Sequence, residues 1–183
     1  MKLPEFQLES ETFFIRSYKN EDSEQLYAFV KSNLSHLQST FPHTVLNTVT
    51  AVAAKKYIKE KRHEAGLGIM QMAGIFEKSS QRLIGHLVIT KVDKTVPKCE
   101  LGYALHEKFR GRGIATAAVG LLVNYLFEAL HFEKITLRIA PDNKSSIALA
   151  VKLRAHYVGT AKHDFKAVDG SILDSCIYEL YAH

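Results

Sequence analysis

A short basic and glycine-rich segment, Lys108 to Gly113, has the residue types of an anion-binding turn. It contains two arginines and two glycines, and a long apolar helical pattern begins directly after it. Glycines leave the backbone N–H groups accessible, and the positive end of the helix dipole lies at the same place. The segment therefore predicts a site for an anion such as a phosphate. A glycine-rich turn without any ligand explains a lone Gly-x-Gly equally well, so the neighbouring segments must decide.

A carboxylate stands on the strand-like segment before this turn, Cys99 to Leu105. Alternation along a strand places Glu100 on one face together with Gly102 and Ala104. The two small residues would leave room for a ligand beside a group that can accept a proton. The alternative is a strand carboxylate that is neutralised by a nearby lysine or arginine.

The remaining reactive side chains give weaker signals. Cys99 and Cys176 lie in apolar strand-like runs without a CxxC pair, which is typical of reduced thiols in a cytoplasmic protein. Nine histidines are present, but their spacing matches no metal-ligand motif. We expect no bound metal.

The elements around the turn follow the order strand, helix, strand. Apolar residues at spacings of three and four predict a helix from Gly113 to Leu130, and Lys134 to Ala140 has the β-branched character of a strand. Two strands that are joined through a helix pair in parallel. The helix start would thus lie beside the end of the strand that carries Glu100.

Other segments extend this α/β pattern in both directions. Toward the N-terminus we expect a strand at Thr12–Ser17, a helix at Asp22–Ser32 and a surface helix at Val49–Glu64. The segment Leu34–Asn47 is predicted to be a loop, because its Phe-Pro pair should break a helix.

Two hairpins and a short helix complete the prediction. The first hairpin joins Ile69–Phe76 to Leu83–Thr90, and the second joins Tyr157–Phe165 to Ile172–Tyr181. A short helix is expected at Ser145–Leu153.

Composition excludes several classes of protein. With 183 residues, 46% hydrophobic and 23% charged, the chain is expected to be one globular domain over residues 1–183. The net charge of +5 is spread along the chain without a dense basic run, so we expect no nucleic-acid partner. No apolar run approaches the roughly 18 residues of a membrane span. A homodimer is possible, but no residue pattern selects an oligomeric state.

Four ordered segments support a family assignment. Arg110–Ala115 fits the acyl-CoA signature of Gln or Arg, any two residues, Gly, any residue, then Gly or Ala. Over Thr12–Tyr181 the sequence resembles the GNAT superfamily of acetyl-CoA-dependent N-acetyltransferases. Its segments Glu100–Tyr103, Asp142–Ser146 and Tyr157–Thr160 are similar to those of the RimJ/RimL branch, the ribosomal-protein N-acetyltransferases.

The resemblance implies an α/β (α+β) fold with a mixed, mostly antiparallel sheet, a central splayed parallel strand pair and flanking helices. It also implies that backbone amides of the turn hold the pyrophosphate of acetyl-CoA, and that the pantetheine arm follows the strand before it. The cofactor-binding residues expected on this basis are Ala104, Leu105, Arg110, Gly111, Arg112, Gly113, Ile114, Ala115 and Asn143.

Two catalytic residues follow from the resemblance. Glu100 is expected to remove a proton from the attacking amine, directly or through water, and Ser146 to donate one to the leaving thiolate. Ser146 is explained equally well as a hydroxyl that caps the first turn of a helix. Many family members carry a tyrosine acid followed by a Gly-Phe pair, where this chain has Ala150 and Arg154-Ala155. That excludes a tyrosine acid at this position and predicts a different helix end.

The predicted activity is acetyl transfer from acetyl-CoA to a primary amine by direct attack in a ternary complex. The branch favours a protein N-terminal α-amine of the ribosomal type as the acceptor. A small amine, such as a polyamine or an antibiotic, is the first alternative, and a non-catalytic acyl-CoA sensor is the second. A Rossmann or P-loop protein is disfavoured, because the turn lacks the third glycine and no Walker motif occurs. Acceptor specificity is expected to reside in Leu34–Asn47 and the closing hairpin, and Phe41 and Tyr103 are candidate acceptor contacts.

Overall fold

The computed structural model describes residues 2–182, which form eight strands and six α-helices. The strands are β1 (Gln7–Glu9), β2 (Phe13–Ser17), β3 (Gln71–Glu77), β4 (Leu83–Asp93), β5 (Lys98–Leu105), β6 (Lys134–Ile139), β7 (His156–Lys166) and β8 (Ile172–Tyr181). The helices are α1 (Ser23–Ser32), α2 (Leu34–Thr40), α3 (Pro42–Asn47), α4 (Ala51–Leu67), α5 (Ile114–Glu128) and α6 (Lys144–Lys152). No helix in this part of the chain is both long and apolar enough to span a membrane.

All eight strands belong to one sheet with the order β1-β2-β3-β4-β5-β6-β8-β7. Every neighbouring pair is antiparallel except β5 and β6, which are parallel. Their pairing is limited to Lys98–Glu100 against Lys134–Thr136. Beyond Glu100 the two strands diverge, so the β6-facing edge of β5 has no ladder partner from Leu101 to Leu105. This confirms the expected splayed parallel pair in a mostly antiparallel sheet.

Helices cover both faces of this sheet. On one face, Leu101 and Leu105 of β5 pack in the same core as Leu122 of α5. On the other face, Ala104 packs in a second core with Ile58 of α4. Alternate residues of β5 therefore enter opposite cores, as the period of two predicted.

The loop predicted for Leu34–Asn47 is wrong, because the segment forms the two short helices α2 and α3. Pro42 occupies the first position of α3, where the missing N–H group has no helical partner in any case. Each helix also buries an apolar side chain, Leu37 in α2 and Val45 in α3. Proline thus starts a helix here, although the sequence suggested that it breaks one.

The different end predicted for α6 is also wrong. Arg154 adopts a left-handed φ of +60°, the conformation in which glycine usually ends a helix. The N–H of Ala155 donates to the carbonyl of Ala150 at 2.9 Å, which is the long hydrogen bond of a glycine-type helix end. The backbone keeps this geometry, and the arginine adopts the left-handed conformation that glycine would favour.

Candidate active site

A cavity of about 640 Å³ lies where β5 and β6 diverge. Its wall is built from the end of α2, α3, α4, the strands β4 to β8 and the start of α6. Three of the predicted site residues, Glu100, Asn143 and Ser146, line this cavity together with the two expected acceptor contacts, Phe41 and Tyr103. The structure therefore brings residues from distant parts of the sequence to one place beside the splayed strands.

Glu100 is ion-paired at the cavity wall. Its Oε1 atom accepts hydrogen bonds from Arg138 Nε at 2.6 Å and from Lys91 Nζ at 3.1 Å. The side chain of Glu100 is 18% exposed. These contacts are those of a carboxylate neutralised by basic neighbours, the alternative given above. Glu100 also lines the cavity, where a proton acceptor would have to lie.

Arg138 links Glu100 to the closing hairpin. Its Nη1 atom donates to both carboxylate oxygens of Asp164 on β7, at 2.7 and 2.8 Å. Burial acts to raise the pKa of Asp164, but hydrogen bonds from Arg138 and Ser175 outweigh it and hold this pKa below its usual value. A chain of charges therefore runs across the cavity wall from Lys91 on β4 to Asp164 on β7.

The first turn of α6 places Ser146 beside Tyr103. Asn143 caps this helix, since its Oδ1 atom accepts from the Ser146 N–H at 3.1 Å and from the Ser145 hydroxyl at 2.9 Å. Asn143, and not Ser146, thus supplies the side-chain cap. The phenol of Tyr103 donates to the carbonyl oxygen of Ser146 at 3.4 Å.

The glycine-rich turn has the backbone geometry that an anion site requires. Gly111 and Gly113 have left-handed φ angles of +75° and +76°, and Gly113 is the N-cap residue of α5. A Cβ atom at either glycine would meet no atom within 4 Å. The N–H groups of the first helical turn, which have no partner within a helix, therefore lie under an open surface.

The two arginines of the turn lie against the protein. Arg110 Nε donates to the carbonyl of Leu105 at 3.4 Å, and the Arg112 guanidinium lies 5.6 Å from the ring centre of Phe109. Both residues are exposed. Their charges add to the positive potential of the turn without covering its glycines.

The turn lies at the far end of β5 from the cavity. Glu100 and Leu105 are five residues apart, which is roughly 17 Å of extended strand. At the end of β5 near the turn, Ala104 and Leu105 have buried side chains, so only their backbone can contact a ligand. Gly102 lines the cavity beside Glu100, and a Cβ atom there would lie 3.2 Å from the ring of Phe41, which also lines it.

Sequence reasoning missed three charged residues of the site: Lys91, Arg138 and Asp164. Arg138 could have been identified from the sequence, because alternation along β6 puts it on the same side as Thr136, which is the partner of Glu100 in the ladder. Lys91 and Asp164 lie at irregularities in β4 and β7, where the period of two is lost. No pattern of residue types marks those positions. In the described residues, no group of His, Cys, Asp or Glu is arranged to hold a metal.

A splayed parallel pair that leads from a cavity to a bare helix N-terminus defines an acyl-CoA-dependent acyltransferase fold. The model of the acetyltransferase (GNAT) domain matches residues 12–156. The chain thus belongs to the GNAT acetyltransferases, and it is an N-acetyltransferase that uses acetyl-CoA.

Similar proteins agree with this assignment. The Probable N-acetyltransferase YjcK of Bacillus subtilis is 26% identical over 160 residues, which cover 87% of this chain and 88% of that protein. The ribosomal protein uS5-alanine N-acetyltransferase of Escherichia coli is 28% identical over 108 residues, 58% of this chain and 55% of that protein. Among solved structures, the ribosomal-protein acetyltransferase RimL in complex with coenzyme A superimposes with a TM-score of 0.88 at 19% identity, covering 97% of this chain and 98% of that one.

Proposed function

We propose that this chain, working as one catalytic domain, acetylates a protein N-terminal α-amine of the ribosomal-protein type. The observation that carries the proposal is the cavity beyond the splayed strands, which is large and more acidic than the rest of the molecule. Its charged lining has five carboxylates against three lysine or arginine side chains, whereas the whole chain has a net charge of +5. The carboxylates are Glu60, Glu64, Glu100, Asp164 and Asp174, and the cations are Lys61, Lys91 and Arg138. An ammonium group is attracted to such a cavity.

In this proposal acetyl-CoA binds along β5. The backbone amides of residues 110–115 hold the pyrophosphate, and the unpaired edge of β5 from Leu101 to Leu105 pairs with the pantetheine arm. Asn143 contributes the free amide of its side chain, since its Oδ1 atom is used in the cap of α6. The bound thioester supplies the acetyl group to be transferred.

Two proton transfers accompany the attack. Glu100 takes a proton from the ammonium of the acceptor, directly or through water, so that the neutral amine can attack. The departing thiolate receives a proton from a hydroxyl at the first turn of α6, where Ser146 lies and where the phenol of Tyr103 reaches. The whole reaction takes place in a ternary complex.

The similar proteins support the acceptor class. The Escherichia coli relative acts on the alanine of a ribosomal protein, and RimL acts on a ribosomal protein α-amine. We place the enzyme in the cytoplasm, because both of its cysteines are free and ribosomal proteins are found there.

The test is the release of free CoA thiol from acetyl-CoA with a panel of acceptors. The panel contains peptides that begin with alanine or serine, the same peptides already acetylated at the N-terminus, spermine and an aminoglycoside. We expect turnover with the free peptides and none with the blocked ones. A preference for spermine or the aminoglycoside would overturn the acceptor class, and CoA binding without turnover on any amine would favour the sensor.

A further inference from the structure

The side chain of Tyr103 crosses the gap between the splayed strands. Tyr103 belongs to the part of β5 that no longer pairs with β6. Its phenol oxygen reaches the carbonyl oxygen of Ser146 in α6, the helix that follows β6 in the chain. The phenol therefore lies between an element on one side of the gap and an element on the other, and Tyr103 also lines the cavity.

The reacting thioester must lie in the same gap. The pantetheine arm arrives along the free edge of β5, and the amine arrives from the cavity that begins where the strands diverge. The sulfur therefore passes close to the residues that line this stretch of β5. Of these, Tyr103 is the residue whose side chain ends in a hydroxyl.

The hydrogen bond that holds this hydroxyl is weak enough to be exchanged. Its length of 3.4 Å exceeds the usual 2.7 to 2.8 Å of O–H···O bonds. Burial raises the pKa of the Tyr103 phenol, and the hydrogen bond to Ser146 offsets this only in part. The phenol is thus protonated at neutral pH and can turn its proton toward a new acceptor.

Two other hydroxyls of the cavity wall, those of Tyr57 and Thr44, are held in a separate network. Tyr57 and Thr44 lie 3.4 Å apart and belong to a buried network with His86 on the side of α3 and α4. Ser146 accepts the bond from Tyr103 through its backbone carbonyl. Its side-chain hydroxyl also lines the cavity, so the variants below compare the two hydroxyls directly.

We propose that Tyr103 is the catalytic acid that protonates the leaving thiolate. As the carbon–sulfur bond breaks, the electron pair stays on sulfur and the phenol proton moves to it. The attacking amine has released a proton to Glu100 or to solvent, and the phenolate takes up that proton to become a phenol again. The sum of these steps is one amine and one acetyl-CoA giving one amide and one CoA thiol. The inference rests on N-acetyltransferase activity and is independent of which amine is the natural acceptor.

The first test compares three variants: Tyr103→Phe, Ser146→Ala and Tyr125→Phe. Tyr125 is the matched control, because it loses the same hydroxyl from a ring that packs on Phe6 outside the cavity. CoA thiol release is measured with whichever amine of the panel the wild-type chain uses fastest. We expect Tyr103→Phe to lower kcat by about 100-fold or more, with the KM for acetyl-CoA changed less than about threefold. Ser146→Ala should lose less than about fivefold, and the control should match wild type.

A second measurement separates acid catalysis from packing. Fluorotyrosine at position 103 keeps the ring but lowers the phenol pKa, so the alkaline limb of the kcat–pH profile should shift to lower pH. The same replacement at position 125 should leave the limb in place. A kcat for Tyr103→Phe within about threefold of wild type, or an unmoved limb with fluorotyrosine, would overturn the proposal. A large loss in Ser146→Ala alone would assign the proton to Ser146 instead.

Discussion

Glu100 is ion-paired and also lines the cavity beside the splayed strands. Its partners come from β4 and β6, and Arg138 is itself anchored by Asp164. The pairs hold the carboxylate at a fixed place in the wall, and precise placement is what proton transfer in a bound complex requires. A residue with this geometry should matter for the rate more than for binding.

The first prediction concerns Glu100→Gln, which removes the proton acceptor and keeps the shape of the side chain. We expect kcat to fall by about 100-fold or more, while the affinity for acetyl-CoA stays close to that of wild type. Steady-state kinetics and a separate titration of CoA binding check both quantities. Glu179→Gln is the matched control, since Glu179 is a strand carboxylate that pairs with Lys134 at 2.7 Å outside the cavity. Near-wild-type rates for Glu100→Gln across the pH range would remove Glu100 from the mechanism.

A second residue, His86, makes the stability of the fold depend on pH because it is buried. It is fully buried on β4, and its Nδ1 atom lies 3.0 Å from the hydroxyl of Tyr18. Burial lowers the pKa of His86 from 6.5 to about 3. Between these values the unfolded chain binds a proton that the folded chain does not bind. The stability that neutral His86 contributes is therefore complete above pH 6.5 and is lost as the pH falls toward 3.

This linkage predicts a slope of about 1.4 kcal/mol per pH unit from His86 alone. Between pH 6.5 and 5, the free energy of unfolding of wild type should fall by about 2 kcal/mol more than that of His86→Gln. Urea unfolding at several pH values measures the difference. Replacement of the exposed His63 by glutamine is the control and should keep the wild-type slope. If the free energy of unfolding of wild type and of His86→Gln changed equally with pH, His86 would not be the source of this pH dependence.

At the scale of elements, the end of α6 makes its own prediction. Arg154 holds the left-handed conformation at a cost of about 1 to 2 kcal/mol for a residue with a Cβ atom. Glycine avoids that strain but gives the unfolded chain more freedom, so Arg154→Gly should stabilise by about 0.5 to 1 kcal/mol. Thermal or urea unfolding detects a change of this size. Lys152→Gly, two residues earlier at the last position of α6, should destabilise by a similar amount. A loss of stability in Arg154→Gly would mean that the arginine side chain stabilises the helix end.

Most of the strands and the long helices were predictable from their residue patterns, whereas the three-residue strand β1 was not predicted. The pattern of β5 and α5 survives in the structure with bounds that differ by one or two residues, since periods of 2 and 3.6 are set by the local backbone. The helices α2 and α3 were not predictable in this way. Each is seven residues or shorter, so tertiary burial of Leu37 and Val45 decides their structure rather than a visible period.

At the scale of the whole molecule, the site depends on contacts that span the chain. Glu100 and Ser146 could be selected from the sequence because they stand in segments that resemble those of the family. Lys91 and Asp164 could not, because they reach the cavity through irregularities of β4 and β7 that only the assembled sheet defines. The acidic character of the cavity has the same origin. It arises from side chains of separate elements and is opposite in sign to the net charge of the chain.

The same assembly predicts how acetyl-CoA should stabilise the fold. In the proposed complex the ligand joins the N-terminus of α5 to the edge of β5, and both exist only in the folded chain. At a free concentration of about 100 times its Kd, such a ligand adds about 2.7 kcal/mol to the free energy of unfolding. For a chain of this size that corresponds to a rise in Tm of roughly 5 to 11 °C. A thermal shift assay with acetyl-CoA, and in parallel with ATP and NAD, measures it.

Gly113→Ala should reduce this shift at the same acetyl-CoA concentration, because the new Cβ atom stands at the N-cap and strains a φ of +76°. Gly120→Ala is the matched control within α5. Its Cβ atom would be in ordinary contact with Leu153 at 3.4 Å, and the residue lies well past the first turn. The ligand-induced shift, rather than the Tm itself, is compared, so that effects of either substitution on the fold cancel. Stabilisation by ATP or NAD in place of acetyl-CoA, or an equal shift in both variants, would contradict the placement of the pyrophosphate on this turn.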